Sequence, residues 1–187
     1  MKRLLDSAAV ARGLDRMAAQ IAEKGADFAF VGVRRGGEPL AEALARRVTA
    51  ETGHEPALGS VDITLYRDDA ATALPSPRIG PSHVPFPVDG RRIVLVDDVM
   101  FTGRTIRAAL DAVLDYGRPR RIELCVVFDR GGRELPIQPD YCIDRHDVAP
   151  DGHVEVVALP DGGFEVVELT RAEHAARRTA QPGGESS

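Results

Sequence analysis

Apolar and polar positions along the chain follow two alternating periods. Over residues 4–24, Leu14, Met17, Ala18 and Ile21 recur at helical spacing, and Gly25 ends the run. "FAFVGV" (Phe28 to Val33) is instead a continuous apolar block, the pattern of a parallel strand covered on both faces. Arg34-Arg35-Gly36-Gly37 interrupts it as a loop. Leu40, Leu44 and Val48 then repeat every four residues, predicting a helix to about Glu51. "LGSVDITLYRDD" alternates Val61, Ile63 and Leu65 with Asp62, Thr64 and Tyr66, which predicts a half-exposed strand. Residues 68–90 hold five prolines and little periodicity. A segment of that kind is a functional lid or is disordered, with "HVPFPV" as a candidate edge strand.

The second half repeats the theme. Ile93–Val96 is a buried strand, Thr105 to Tyr116 a helix with Ile106, Ala109, Leu110 and Val113 inward, and Arg121 to Phe128 another strand. "DYCI", "VEVVAL" and "FEVVEL" are short later strands, the last two joined by a turn at Pro160-Asp161-Gly162-Gly163. Residues 171–187, ending "QPGGESS", are predicted to be a disordered tail. Strands alternating with helices imply an α/β fold, an open and mostly parallel sheet flanked by helices, as a single domain over residues 1–170. Ligands of such sheets sit outside the carboxyl ends of the strands, where the loops 34–37, 97–105 and 128–133 would converge.

Composition narrows the field without deciding it. The 187 residues suit one domain, and a net charge of −5 carries no global signature of nucleic-acid or membrane binding. No apolar run approaches the roughly 20 residues of a membrane span, and the first fifteen residues carry charges throughout. Cys125 and Cys142 stand in apolar surroundings and read as thiols of a reducing compartment. The predicted location is cytoplasmic.

Candidate chemistry concentrates in "VLVDDVMFTGRT", Val94 to Thr105. A buried strand ends in Asp97 and Asp98, Val99, Met100 and Phe101 follow, and Thr102-Gly103-Arg104-Thr105 opens a helix. Neighbouring strand residues point to opposite faces, so the two carboxylates can serve different partners. Carboxylates accept hydrogen bonds from sugar hydroxyls and help retain Mg²⁺. The free N–H groups and dipole of a helix start hold an anion, helped by two hydroxyls and an arginine. A phosphorylated ribose satisfies both halves; solvated strand-end charges beside an ordinary helix cap would satisfy neither. No G-x-x-x-x-G-K-[ST] or G-x-G-x-x-G occurs, which disfavours triphosphate and dinucleotide loops.

"VLVDDVMFTGRT" resembles the phosphoribosyl-pyrophosphate (PRPP) signature of type I phosphoribosyltransferases. With "SVDITLYRDD" and "FDRGGRELPI", it is similar to one subgroup, the bifunctional pyrimidine-operon attenuation regulators and uracil phosphoribosyltransferases. The resemblance implies that fold with a small hood and a flexible Pro-rich loop, and a reaction of uracil with PRPP giving UMP and pyrophosphate, assisted by Mg²⁺. It implies that Asp97 and Asp98 engage the ribose hydroxyls and the metal, through water or PRPP, and that residues 99–105 hold the 5′-phosphate. Arg34, Arg35, Gly36 and Gly37 occupy the place of the pyrophosphate loop, although the family usually shows Thr-Arg-Gly there. Arg67 stands where it can reach pyrophosphate as the loop closes, or pair with Asp68 or Asp69. Phe101, Arg130 and the backbone at Tyr141-Cys142 fall to the base pocket, and the Tyr141 ring stacks on the base or packs in the core. Related purine transferases typically carry an aspartate just before Thr-Gly. Phe101 has no titratable group, which argues for a pyrimidine.

The same resemblance implies dimers or tetramers and a second activity, binding pyrimidine-operon leader mRNA. Arg16, Arg118, Arg120 and Arg121 are its candidate contacts. Asp15 and Ala19 replace a hydroxyl and an imidazole usual there, and an aspartate facing RNA phosphate is repulsive. Besides uracil transfer, an RNA-binding attenuator with little catalysis and a salvage transferase for another base both fit the residues.

Overall fold

The computed structural model describes residues 1–64, 66, 82–149 and 151–180. Five parallel strands form its main sheet in the order β3-β2-β4-β5-β6: β2 (Phe28–Val33), β3 (Ala57–Val61), β4 (Arg92–Met100), β5 (Arg121–Asp129) and β6 (Tyr141–Arg145). Helices α1 (Ser7–Glu23) and α2 (Gly37–Thr52) cover one face, and α3 (Arg104–Leu114) covers the other. The alternation of β4 explains the division. Val94 and Val96 pack with Leu14, Met17 and Leu44 under α1 and α2. Ile93 and Leu95 pack with Ile106, Ala109 and Val113 of α3. A continuous apolar run is what a strand covered on both sides requires.

A second sheet packs against the α1 and α2 side of this core through Phe164 and Val166. It is antiparallel, in the order β1-β8-β7, and joins β1 (Lys2–Leu5) to β8 (Phe164–Leu169) and β7 (His153–Ala158). It is the hood that the resemblance implied. The N-terminal segment therefore differs from the expected helix over 4–24. Residues 2–5 pair with β8, and Asp6 starts α1 by accepting a hydrogen bond from the Ala9 N–H at 2.8 Å.

Four further expectations change. The strand expected through "DITLYR" ends at Val61, because the Asp62 carboxylate accepts the Thr64 N–H at 2.8 Å and turns the chain. "HVPFPV" forms one bridge, His83 with Ser60, rather than an edge strand, since Pro85 and Pro87 have no N–H to give. Within the supposed flexible loop 68–90, residues 82–90 dock on the sheet, with Val88 fully buried; Arg67 and the rest of the loop up to 81 lie outside the described residues. Instead of a disordered start to the tail, Arg171–Ala180 forms helix α4, capped by Thr170 and Glu173, whose groups bond reciprocally. His174 of α4 stacks on His153 of the hood, ring centroids 4.1 Å apart.

Candidate active site

The carboxyl ends of β2, β4 and β5 bring three loops together, as the alternation of strands and helices implied. Their meeting point is Asp98. The residue follows Val94 and Val96 on the α2 side of the sheet, so its side chain meets the start of α2. A Cβ on Gly36 would lie 2.6 Å from the Asp98 carboxyl carbon, and one on Gly37 would lie 1.9 Å from the Val96 carbonyl oxygen. Only glycine lets the 34–37 loop approach this closely. Arg35 beside it is the one non-glycine residue with positive φ, +81°, among the described residues. Backbone strain of that kind collects at sites where function fixes the chain.

Asp97 and Asp98 do not escape each other by facing opposite ways. Asp97 is 5 % exposed. Burial, and then the charge of Asp98, push its carboxyl well above the usual range. Burial raises Asp98 too, and Glu155 of the hood adds a further repulsive charge. The Asp98 N–H donates to Asp97 Oδ1 at 3.0 Å, and the Val99 N–H donates to Asp98 Oδ1 at 2.7 Å. These bonds favour the charged forms but do not outweigh desolvation. Among the described residues, no cation is one of the largest influences on either carboxyl.

A tight turn at Thr102-Gly103 leads from β4 into α3. Gly103 adopts φ +93° ahead of α3, and Thr102 Oγ1 accepts the Arg104 N–H at 3.3 Å. The 130–137 loop braces this turn from behind. The Glu134 and Leu135 N–H groups donate to the Thr102 carbonyl at 3.0 and 3.1 Å, and Arg104 Nε donates to Glu134 at 2.6 Å. Arg34, at the end of β2, donates its N–H to the Val61 carbonyl at 2.9 Å.

Not every candidate gathers here. Met100 is 1 % exposed, and its carbonyl takes the Arg130 N–H, so its side chain belongs to the core. Val99 is half-buried against the same α1 and α2 cluster. Tyr141 also departs from the base pocket: it packs under α1, donates its hydroxyl to Glu123 at 2.7 Å, and carries the Lys24 ammonium over its ring. Cys142 lies two strands from Asp97, with its thiol on the Asp144 carbonyl at 3.0 Å. Phe101 and Arg130 do meet, the guanidinium 4.1 Å from the ring centroid. The arginines considered for RNA lie elsewhere. Arg16 caps the Cys142 and Ile143 carbonyls at the β6 edge. Arg118, Arg120 and Arg121 surround the opposite end of the sheet, where Arg120 faces Asp27 and Arg121 faces Glu123 and Asp140. Asp15 pairs with Arg47 at 2.7 Å.

Residue pattern alone missed Asp129. It is 1 % exposed and accepts from Arg133 at 2.7 Å, the Gly131 N–H and Arg145 at 2.6 Å. Burial would raise its carboxyl, but these bonds win and hold it low. The Asp129–Arg133 spacing was its only trace. Glu155, bonded to His174 at 2.8 Å and Arg177 at 3.2 Å, left none in the alternating pattern of β7.

The model of the phosphoribosyl transferase domain family matches residues 1–166. The chain belongs to that family. Within it, the chain is similar to proteins named Bifunctional protein PyrR. The one from Pelotomaculum thermopropionicum is 49% identical over 175 residues, covering 91% of this chain and 97% of that protein. The one from Roseiflexus sp. (strain RS-1) is 44% identical over 174 residues, covering 91% and 95%. Both bear out the subgroup that the motifs suggested. Among solved structures, a hypoxanthine phosphoribosyl transferase of Trypanosoma cruzi superposes with a TM-score of 0.66 at 18% identity, covering 96% of this chain and 95% of that one. This bears out the phosphoribosyltransferase fold. No helix among the described residues is long and apolar enough to cross a membrane.

Proposed function

We propose that this phosphoribosyltransferase joins uracil to the anomeric carbon of PRPP, releasing pyrophosphate and forming UMP. One observation carries the reading: a buried carboxylate, Asp97, and a half-buried one, Asp98, both with raised pKa, stand between a glycine loop and a helix start opened by Gly103. Asp97 and Asp98 accept the ribose hydroxyls and offset positive charge developing on the ring. Thr102, Gly103, Arg104 and Thr105 hold the 5′-phosphate. Arg34, Arg35, Gly36 and Gly37 receive the pyrophosphate, with Arg67 closing over it. Phe101 stands at the base, with no acid to serve a purine.

The residues fit Mg²⁺. No group of three or more His, Cys, Asp or Glu among the described residues makes a protein metal cage. Mg²⁺ instead keeps waters and takes phosphate oxygens, needing one or two carboxylates. Asp97 and Asp98 would supply these, and the ion would neutralise the leaving pyrophosphate. Phosphorylated substrates place the reaction in the cytoplasm, and assembly as a dimer or tetramer follows the family.

The word bifunctional in the relatives' names favours a second role, UMP-responsive binding of leader mRNA. Arg16, Arg118, Arg120 and Arg121 remain its candidates, although acidic neighbours of Arg120 and Arg121 weaken that surface. The deciding experiment measures product formation from PRPP and Mg²⁺ with uracil, hypoxanthine, guanine and orotate. UMP formation alone is expected. Conversion of another base overturns the uracil assignment, and no conversion with UMP-dependent binding of a leader hairpin leaves only the regulator.

A further inference from the structure

We propose that Arg130 is a positioning residue for base recognition, acting through the Phe101 ring rather than touching the substrate; this rests on the transferase reading. Arg130 is 6 % exposed, although it is a cation. Its guanidinium donates one hydrogen bond, Nη2 to the Ala149 carbonyl at 3.2 Å, and its buried Nε has no hydrogen-bond partner. Burying a charged group with so few bonds is costly, so packing alone does not account for it. What the cation gains is the face of Phe101, 4.1 Å from guanidinium carbon to ring centroid.

Phe101 is restrained from three directions. Arg130 covers one face, and Gly132 approaches the ring edge so closely that a Cβ there would sit 2.4 Å from Cε2. Arg133 Nη1 holds the Phe101 carbonyl at 2.7 Å. The ring is nevertheless 40 % exposed, between two carboxylates and a phosphate turn. A large apolar ring fixed in plane and left open presents a stacking face. Arg130 also ties that face to its surroundings. Its N–H bonds the Met100 carbonyl at 3.0 Å, and its carbonyl takes the Val148 N–H at 3.3 Å, in the segment leading to the hood. The side chain holds the ring face and the Ala149 carbonyl, and the backbone of the same residue holds Met100 and Val148.

A double-mutant cycle tests this, with UMP and ribose 5-phosphate binding measured by calorimetry on the full chain. Ribose 5-phosphate affinity is expected to be equal in wild type and Arg130→Met, and equal in Phe101→Leu and the double variant. UMP affinity should fall about tenfold in Phe101→Leu, the scale of one stacked base. It should fall roughly fivefold in Arg130→Met, and the double variant should be no weaker than Phe101→Leu. Arg130→Lys, which keeps a cation beneath the ring, should lose less than Arg130→Met, and carries the cycle if the methionine variant does not fold. Additive losses of UMP, equal losses of both ligands, or no loss in Arg130→Met would each overturn the inference while leaving the transferase reading in place. A wild-type chain that binds neither ligand overturns both.

Discussion

The two ends of the parallel sheet bury carboxylates in opposite ways. At the carboxyl end, burial pushes both Asp97 and Asp98 up, and the charge of Asp98 raises Asp97 further. At the amino end, Glu123 is 2 % exposed, yet its carboxyl is held low. Burial alone would raise it, but the Tyr141 hydroxyl and the charges of Lys24 and Arg92 outweigh that. Arg92 in turn donates to the Ile21 and Gly25 carbonyls at 2.8 and 3.0 Å, closing the end of α1. In one place partners of opposite charge outweigh burial; in the other burial wins. Buried charge becomes a functional signal when its compensation is missing.

Mutation should separate the two ends. Asp98→Asn is expected to lower kcat/KM for PRPP by at least about a hundredfold, the scale of one lost transition-state contact. Its melting temperature should hold or rise, because a raised carboxyl gives stability below its ordinary pKa and loses it as pH climbs. A near-normal rate would remove Asp98 from the reaction. Glu123→Gln should do the reverse, costing about 3 kcal/mol of stability in urea unfolding by stranding buried Arg92, with kcat intact. Its pH signature is also opposite. A lowered carboxyl stabilises above its ordinary pKa and loses that contribution as pH falls through the folded value, so wild type should weaken on acidification more than Glu123→Gln.

Gly37→Ala probes the close approach itself. The added methyl must displace the Val96 carbonyl, at a cost of about 2 kcal/mol with a raised KM for PRPP. A wild-type KM would show that the loop does not need to lie so near. Arg121→Ala should matter least. Its guanidinium is 59% exposed, so removing it from Glu123 should shift stability by about 0.5 kcal/mol or less, read by the same unfolding curves.

Much of the site was legible because its chemistry is local. Asp97 to Thr105 are contiguous, and a strand followed by a helix start fixes their relation whatever surrounds them. Gly36 and Gly37 were readable as a loop, but their contact with Asp98 depends on β2 and β4 being neighbours, which only the topology supplies. Tyr141 was open between base and core because an aromatic at a strand start has no intrinsic direction; Glu123, two positions from Cys125 on the adjacent strand, draws its hydroxyl toward the amino end. Residues 4 and 5 read as the start of the helix because the partner of their strand, β8, lies far away in the chain. Arg16 and Asp15 show the same limit: their partners, β6 and Arg47, are distant in the chain.

The hood draws its strands from both extremes of the chain, Lys2–Leu5 beside Phe164–Leu169. During synthesis β1 emerges first and must stay unpaired until β8 has left the ribosome. The five parallel strands, complete at Arg145, can assemble before that. Closing so long a loop is slow compared with pairing nearby segments. The nascent molecule should therefore own its phosphate turn before it owns the wall, carrying Glu155, that faces Asp98. Competence to turn over substrate would arrive last, with the joining of the chain's two extremes.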